Sequence, residues 1–112
     1  INTGAWFHVV ATFESNTGTE RRNRIYINGS LENTSTGVPA SPTYTGTIYK
    51  QIAYPYNTTG NEFAGKIDEV AVFDYALDSD QIDEIYNATS TGKTADLSAM
   101  ATPPVAWYRM GD

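Results

Sequence analysis

The chain has 112 residues, a formal net charge of −6 and 12% aromatic residues, which excludes an intrinsically disordered chain and leaves room for one domain. Its basic residues are scattered apart from Arg21, Arg22 and Arg24, and no apolar run reaches the roughly 18 residues of a membrane span. We therefore expect neither a nucleic-acid partner nor membrane insertion. The absence of cysteine excludes disulfides, thiolate metal sites and cysteine nucleophiles.

Short apolar runs separated by clusters of asparagine, threonine, glycine and serine dominate residues 1–73, a pattern typical of antiparallel sheets. The first run, residues 5–14, alternates with the period of a strand and carries bulky side chains on both faces, which predicts a central strand. Residues 23–28 predict the return strand. The dipeptide Asn28-Gly29 at its end supplies the positive φ angles of a tight type I′ hairpin.

The middle of the chain alternates between predicted loops and strands. Residues 33–46 contain two prolines and many hydroxyl side chains, which predicts a long surface loop. Residues 47–53 predict a further strand, and residues 55–62 predict another loop. The longest predicted strand covers residues 63–73 and is expected to be buried on both sides, because both of its faces carry apolar side chains.

One helix is predicted after this strand, and its beginning carries the clearest local signal in the sequence. Asp78 as N-cap and Gln81 three residues later form a capping box, and Leu77 with Ile82 forms a hydrophobic staple. Apolar residues then recur at helical spacing, with acidic residues on the opposite face. We expect the helix to run for about two turns and to end before Thr89.

The last part of the sequence predicts that one module ends and a second one begins. Residues 91–104 are typical of a linker, and residues 105–112 predict a strand that begins a following module. On this division, residues 1–90 belong to one domain. The chain starts without methionine and stops directly after the last predicted strand, so we expect it to be a piece of a longer polypeptide.

Four segments in this order resemble the laminin G-like form of the concanavalin A-like jelly roll. They are Trp6-Phe7-His8-Val9-Val10-Ala11-Thr12, Ile25-Tyr26-Ile27-Asn28-Gly29, Phe63-Ala64-Gly65-Lys66-Ile67-Asp68-Glu69-Val70 and the helix from Leu77 to Tyr86. They resemble the family's W-x-H-V-A-x-T strand, L-Y-V-N-G hairpin, F-x-G-x-I-D-E-V strand and closing L-S-x-x-E-I-x-x-L-Y helix. The chain departs from the family at Ala53, where glycine is usual.

The resemblance implies a mainly β fold, an antiparallel β-sandwich of the jelly-roll type with one short helix. No counterpart of the family's N-terminal strands is recognisable before residue 5, so residues 1–90 are expected to be the C-terminal half of such a domain. Residues 105–112 resemble the opening strand of a second one, as in tandem-repeat phage and environmental surface proteins.

Enzymatic activity is not expected. Related jelly rolls include β-glucanases whose paired glutamates lie on one face of a strand, but Lys66 stands where the first glutamate would fall. Asp68 and Glu69 are adjacent, so on a strand they point to opposite faces and cannot flank one glycosidic bond. We therefore predict no catalytic residue. His8, the only histidine, is expected to be a structural residue of its strand.

Asp68 is the candidate metal ligand. The resemblance implies a hard cation bound by the aspartate of this strand together with backbone carbonyls, and calcium suits such oxygen ligands. The second interpretation is that Asp68 accepts hydrogen bonds from backbone N–H groups at a strand edge. Both interpretations remain open at this point.

Tyr44, Tyr54 and Tyr56 lie in or beside predicted loops, where flat aromatic faces would stack on sugar rings. The alternative is that these tyrosines fill the core, as strand aromatics commonly do.

The resemblance implies that the chain is a non-enzymatic structural or adhesive module of a virion or extracellular surface protein, with glycan binding as a candidate activity. Other copies, neighbouring modules and cell-surface glycans are its expected partners. The alternative is an accessory carbohydrate-binding module of a secreted glycan-degrading enzyme.

Overall fold

The computed structural model describes residues 4–15, 21–36, 52, 60, 63–90 and 94–110. Within these ranges the chain forms antiparallel sheets, one α-helix and one short 3₁₀ helix, which confirms the mainly β class. In chain order the elements are β1 (Val9–Ser15), β2 (Arg21–Ile27), β3 (Ser30–Thr36), β4 (Val70–Val72), α1 (Ser79–Ser90), the 3₁₀ helix (Leu97–Ala99) and β5 (Ala106–Tyr108).

The larger described sheet has the antiparallel order β1-β2-β3. The sequence predicts that β1 is a central strand; among the described strands, β2 lies between β1 and β3, and a neighbour on the other side of β1 would lie outside the described residues. Val9 pairs with Ile27 and Phe13 with Asn23, so these four side chains share one face of the sheet.

The hairpin between β2 and β3 has the two-residue turn that the sequence predicts. Asn28 and Gly29 have φ angles of 51° and 80°, and type I′ turns require positive φ at both positions. Glycine is needed for a second reason: a Cβ at position 29 would lie 2.9 Å from Asp83 Oδ1 and 3.0 Å from Tyr86 Cδ1. The turn thus packs closely against α1.

The strand predicted over residues 63–73 is regular only at β4. Glu69, directly before β4, has a φ angle of 53°, and this left-handed conformation interrupts the extended backbone. Five of the six residues 63–68 are exposed, Ile67 being the exception. The expectation that this stretch is one long strand buried on both sides is therefore wrong.

β4 pairs antiparallel with β5, with Val70 opposite Tyr108 and Val72 opposite Ala106. The strand predicted to begin a following module thus completes a sheet with the strand before α1. Leu97, within the predicted linker, is buried in the same core as α1. Residues 94–110 accordingly pack on β4 and α1, and the division of the chain into modules stays a prediction.

The helix begins as the capping box predicts. The Gln81 amide donates to Asp78 Oδ1 over 2.8 Å, and the Asp78 amide donates to Gln81 Oε1 over 3.1 Å. Leu77 and Ile82, the predicted staple, are both buried. The helix has 12 residues and continues to Ser90, two residues beyond the predicted end before Thr89.

The core lies where one face of each sheet meets α1. Its buried apolar residues are Tyr26, Leu77, Ile82, Ile85 and Leu97, and Val10, Ala71, Phe73, Tyr75, Ala95, Met100 and Trp107 pack against them. Ile82 has no exposed surface. Among the described residues, no helix combines the length and apolar character needed to cross a lipid bilayer.

Removing the helix N-cap tests the capping box directly. We expect Asp78→Ala to lower the free energy of unfolding by about 1 kcal/mol, because the amide of Gln81 loses its acceptor. Gln81→Ala should cost less, and Glu84→Ala, an exposed change in the same helix, serves as the control. Urea unfolding followed by circular dichroism measures all three. An unchanged midpoint for Asp78→Ala would show that the box contributes nothing.

Candidate functional site

An apolar surface is exposed on the β1–β2–β3 sheet, on the face opposite to the core. Val9, Phe13 and Ile25 are 51%, 50% and 39% exposed. The register places these three side chains on one face together with Ala11. We call this surface, formed by Val9, Ala11, Phe13 and Ile25, the apolar sheet face.

Polar side chains adjoin the apolar sheet face along β2 and β3. Asn23 lies directly opposite Phe13, and Asn33 lies directly opposite Ile25. Together they border an open groove of about 380 Å³, whose lining residues are Ala11, Thr12, Phe13, Asn23, Arg24, Ile25, Asn33 and Ser35. An aromatic ring beside amide and hydroxyl groups suits a ligand with one apolar and one polar face, as a pyranose ring has.

Arg24 also borders the groove. The register pairs it with the buried Thr12, so its side chain extends from the opposite face of the sheet, where its Nη1 lies 2.9 Å from Glu14 Oε2.

The three tyrosines predicted to contact glycans, Tyr44, Tyr54 and Tyr56, lie outside the described residues. Sequence reasoning did not find Phe13 as a site residue, although the alternation in β1 correctly groups it with Val9 and Ala11. The sequence does not show which of the two faces of β1 packs on the helix. In the structure, Val10 and Tyr26 pack in the core, so the face that carries Phe13 is the exposed one.

Asp68 uses one carboxylate oxygen as an acceptor of two backbone hydrogen bonds. Its Oδ1 accepts from the amide of Glu69 over 2.9 Å and from the amide of Met110 over 3.2 Å. This geometry fits the second interpretation of Asp68, an acceptor at a strand edge. The described residues contain no group of three acidic, histidine or cysteine side chains placed to hold a metal ion.

Glu69 joins the same edge through its side chain. Its Oε2 accepts a hydrogen bond from Trp107 Nε1 over 2.7 Å, and its Oε1 lies 3.6 Å from Arg109 Nε. The Arg109 guanidinium in turn lies 4.9 Å from the centre of the Trp107 ring, within the range of a cation–π contact. Asp68 and Glu69 therefore both contact residues that lie in β5 or directly after it.

His8 lies at the junction of β1, the hairpin turn and α1. Its backbone amide donates to Asn28 Oδ1 over 3.0 Å, and the Asn28 amide donates to the His8 carbonyl over 2.9 Å. The imidazole stacks on Tyr86 at a centroid distance of 5.9 Å. Its Nδ1 is buried and has no hydrogen-bond partner within the described part of the chain. Burial lowers the pKa of His8 below its ordinary value of 6.5, which suits a neutral structural residue.

The buried imidazole predicts a stability that depends on pH. Because the folded-state pKa of His8 is lowered, the unfolded chain binds the proton more readily, and stability falls as the pH drops below the unfolded value near 6.5. Asp83 and Tyr86 of α1 flank the adjoining turn, and their contacts remain in a His8→Phe variant. We expect thermal melts at pH 7 and pH 5 to differ less for His8→Phe than for the parent; an equal difference in both proteins would contradict this role of His8.

A comparison with protein families identifies the fold family. The family model for a laminin G-like domain, described as the concanavalin A-like lectin/glucanases superfamily, matches residues 1–83. The chain belongs to this superfamily. No curated protein and no solved structure gives a significant match.

Membership of the concanavalin A-like superfamily confirms the resemblance and suggests a carbohydrate-binding or adhesive module. The extent of the match corrects one prediction. It begins at residue 1 and continues to residue 83, which conflicts with the placement of residues 1–90 as the C-terminal half of a jelly roll. That placement depended on finding no N-terminal strand motif, and strand sequences vary too much with context for an unrecognised motif to indicate a missing strand.

Proposed function

We propose that this superfamily member is a non-enzymatic structural or adhesive module with a jelly-roll fold, and that it binds neutral glycans at the apolar sheet face. The observation that carries the proposal is the half-exposed ring of Phe13 beside Asn23 and Asn33 in an open groove. We place the module in a virion or extracellular surface protein, alongside other copies or neighbouring modules of the same assembly.

The chemistry of the groove supports a sugar ligand. The ring of Phe13 offers a flat apolar surface to the C–H face of a pyranose, and Ile25 extends that surface. The amides of Asn23 and Asn33 each provide donors and an acceptor, which matches the mixed requirements of sugar hydroxyl groups. The net charge of −6 disfavours acidic glycans.

The hydrogen bonds made by the carboxylates of Asp68 and Glu69 support a non-enzymatic role. Asp68 accepts two backbone amides, and Glu69 accepts the indole N–H of Trp107. A glycosidase needs one carboxyl group to donate a proton and another to act as nucleophile or base at the same bond. Carboxylates held by strand contacts are poorly suited to both roles.

Glycan-array screening of the purified chain, followed by calorimetry with the best neutral ligand, tests the proposal. We expect Phe13→Ala to weaken binding about tenfold or more, since loss of roughly 1.4 kcal/mol of stacking corresponds to a factor of ten. Tyr108→Ala removes an exposed aromatic ring outside the groove and should leave the affinity unchanged. Equal binding by the parent and Phe13→Ala, or no binding to any glycan, would refute the proposed site.

The alternative role, an accessory carbohydrate-binding module of a secreted glycan-degrading enzyme, would use the same groove. The parent polypeptide distinguishes the two roles. An adjoining domain with paired catalytic carboxylates indicates the accessory module, whereas repeated jelly rolls indicate the surface assembly.

Calcium binding at Asp68 stays a prediction, with backbone carbonyls as the further ligands that the resemblance implies. A bound ion at a hundredfold excess over its Kd stabilises the folded chain by about 2.7 kcal/mol, so the Tm should rise in calcium and fall in EDTA. Asp68→Asn should abolish that response because it removes the negative charge. If the parent melts at one temperature in both buffers and Asp68→Asn melts lower in both, Asp68 is only a backbone acceptor.

A further inference from the structure

Asn28 is the only asparagine of the chain that is followed by glycine. In such a pair the backbone nitrogen of the glycine can attack the side-chain carbonyl carbon of the asparagine, because glycine has no Cβ to hinder the approach. The new C–N bond closes a five-membered succinimide ring, and the side-chain nitrogen leaves as ammonia with the proton that the backbone nitrogen loses. Water then opens the ring to aspartate or isoaspartate, so the net reaction is the hydrolysis of one amide.

The fold holds the side chain of Asn28 on the residue before β1. Asn28 Oδ1 accepts a hydrogen bond from the His8 amide over 3.0 Å, and the Asn28 amide donates to the His8 carbonyl over 2.9 Å. Residue 28 is therefore bound to His8 through both its backbone and its side chain. Because ring closure requires the carboxamide to turn over the following peptide bond, the side-chain hydrogen bond to His8 must break first.

Helix α1 encloses the other side of the same turn. The space beside Gly29 is occupied by Asp83 and Tyr86, which would lie 2.9 Å and 3.0 Å from a Cβ at that position. The ring of Tyr86 also stacks on the imidazole of His8 at a centroid distance of 5.9 Å. The peptide group between Asn28 and Gly29 thus lies between His8 and α1, and its rotation into a reactive geometry requires the turn to move away from both.

We propose that Asn28 is a deamidation site controlled by the fold: the closed turn protects its carboxamide, and detachment of the turn from His8 and α1 allows the reaction. The rate then follows the population of the locally opened state. Isoaspartate adds one backbone atom to a two-residue turn, and both products add a negative charge near Asp83, so the modified turn closes less readily. The inference goes beyond glycan binding and does not depend on it.

Deamidation rates in the unaltered chain and in a synthetic peptide of residues 25–34 test the protection. Both are incubated at pH 8 and 37 °C, the chain is then digested with trypsin, and mass spectrometry quantifies the replacement of NH₂ by OH at each asparagine. We expect Asn28 to react about tenfold more slowly, or slower still, in the folded chain than in the peptide. Asn33 is followed by threonine and is present in both samples, so it is the internal control and should react far more slowly than Asn28 of the peptide.

Tyr86→Ala tests the contribution of α1, because it removes the ring that lies against Gly29 and His8. Asn28 should react about tenfold faster in this variant than in the parent, whereas Glu84→Ala, an exposed change in the same helix, should keep the parent rate.

The parent in urea below its unfolding transition gives a second measurement that needs no substitution, and the rate at Asn28 should rise with urea towards that of the peptide. Equal rates in the peptide and the folded chain would overturn the protection, and a peptide that does not react at Asn28 would overturn the site. A rate in Tyr86→Ala equal to that of the parent would overturn the role assigned to α1.

Discussion

Ile82→Ala is expected to lower the free energy of unfolding by about 3 kcal/mol, near the middle of the range for truncating a fully buried isoleucine. Ile82 has no exposed surface and lies in the core cluster with Leu77 and Ile85. It is also the helical partner of Leu77 in the staple that follows the capping box. The truncation therefore leaves a cavity where α1 meets both sheets.

Urea unfolding of the purified chain, followed by circular dichroism, measures this effect. Ile82→Val removes one methylene and should cost about 1 kcal/mol, so the two variants give a graded series. Glu84→Ala, two residues further along the helix and exposed, is the control for a change in helix propensity. A loss below about 1 kcal/mol for Ile82→Ala would mean that the site collapses around the smaller side chain or that α1 does not pack as described.

Trp107→Ala is expected to have a comparable effect, about 3 kcal/mol, through two separable contributions. The indole packs against the core cluster that contains Leu97 and Ile82. Its Nε1 also donates to the Glu69 carboxylate over 2.7 Å, and a hydrogen bond to a charged acceptor contributes roughly 1.5 to 3 kcal/mol. Removal of the ring leaves a partly buried carboxylate with one donor fewer.

Trp107→Phe helps to separate the two contributions, because it keeps a six-membered aromatic ring in the core and removes the N–H together with the pyrrole part of the indole. We expect it to cost about half as much as Trp107→Ala. Trp6→Ala is the matched control, since the other tryptophan is 65% exposed and its loss should change the unfolding midpoint little. Equal midpoints for Trp107→Ala and Trp6→Ala would show that β5 does not dock on β4.

These two substitutions test different parts of the same core. Ile82 lies on α1, inside the family-matched region, whereas Trp107 lies on β5, outside it. If both truncations lower stability with a single cooperative transition, residues 94–110 fold with the matched region as one unit. Two transitions would instead show that residues 94–110 unfold separately from the matched region.

Short-range features of this chain could be predicted from the sequence because a few neighbouring residues determine them. The capping box of Asp78 and Gln81 depends on residues three positions apart, and the type I′ turn depends on Asn28-Gly29 alone. The mainly β class and the superfamily follow from strand patterns of the same short range. In each of these cases the deciding contacts lie within one element or one turn.

Long-range contacts decided the remaining features. Alternation in β1 groups Phe13 with Val9 and Ala11, but a period of two is symmetric between the faces of a strand, so only the packing of Val10 and Tyr26 shows which face is exposed. The role of Asp68 depends on Met110, which is 42 residues away, and that of Glu69 on Trp107, which is 38 residues away. Local propensity contains no information about such partners, because strand pairing is selected by the neighbours that a strand meets in the folded chain.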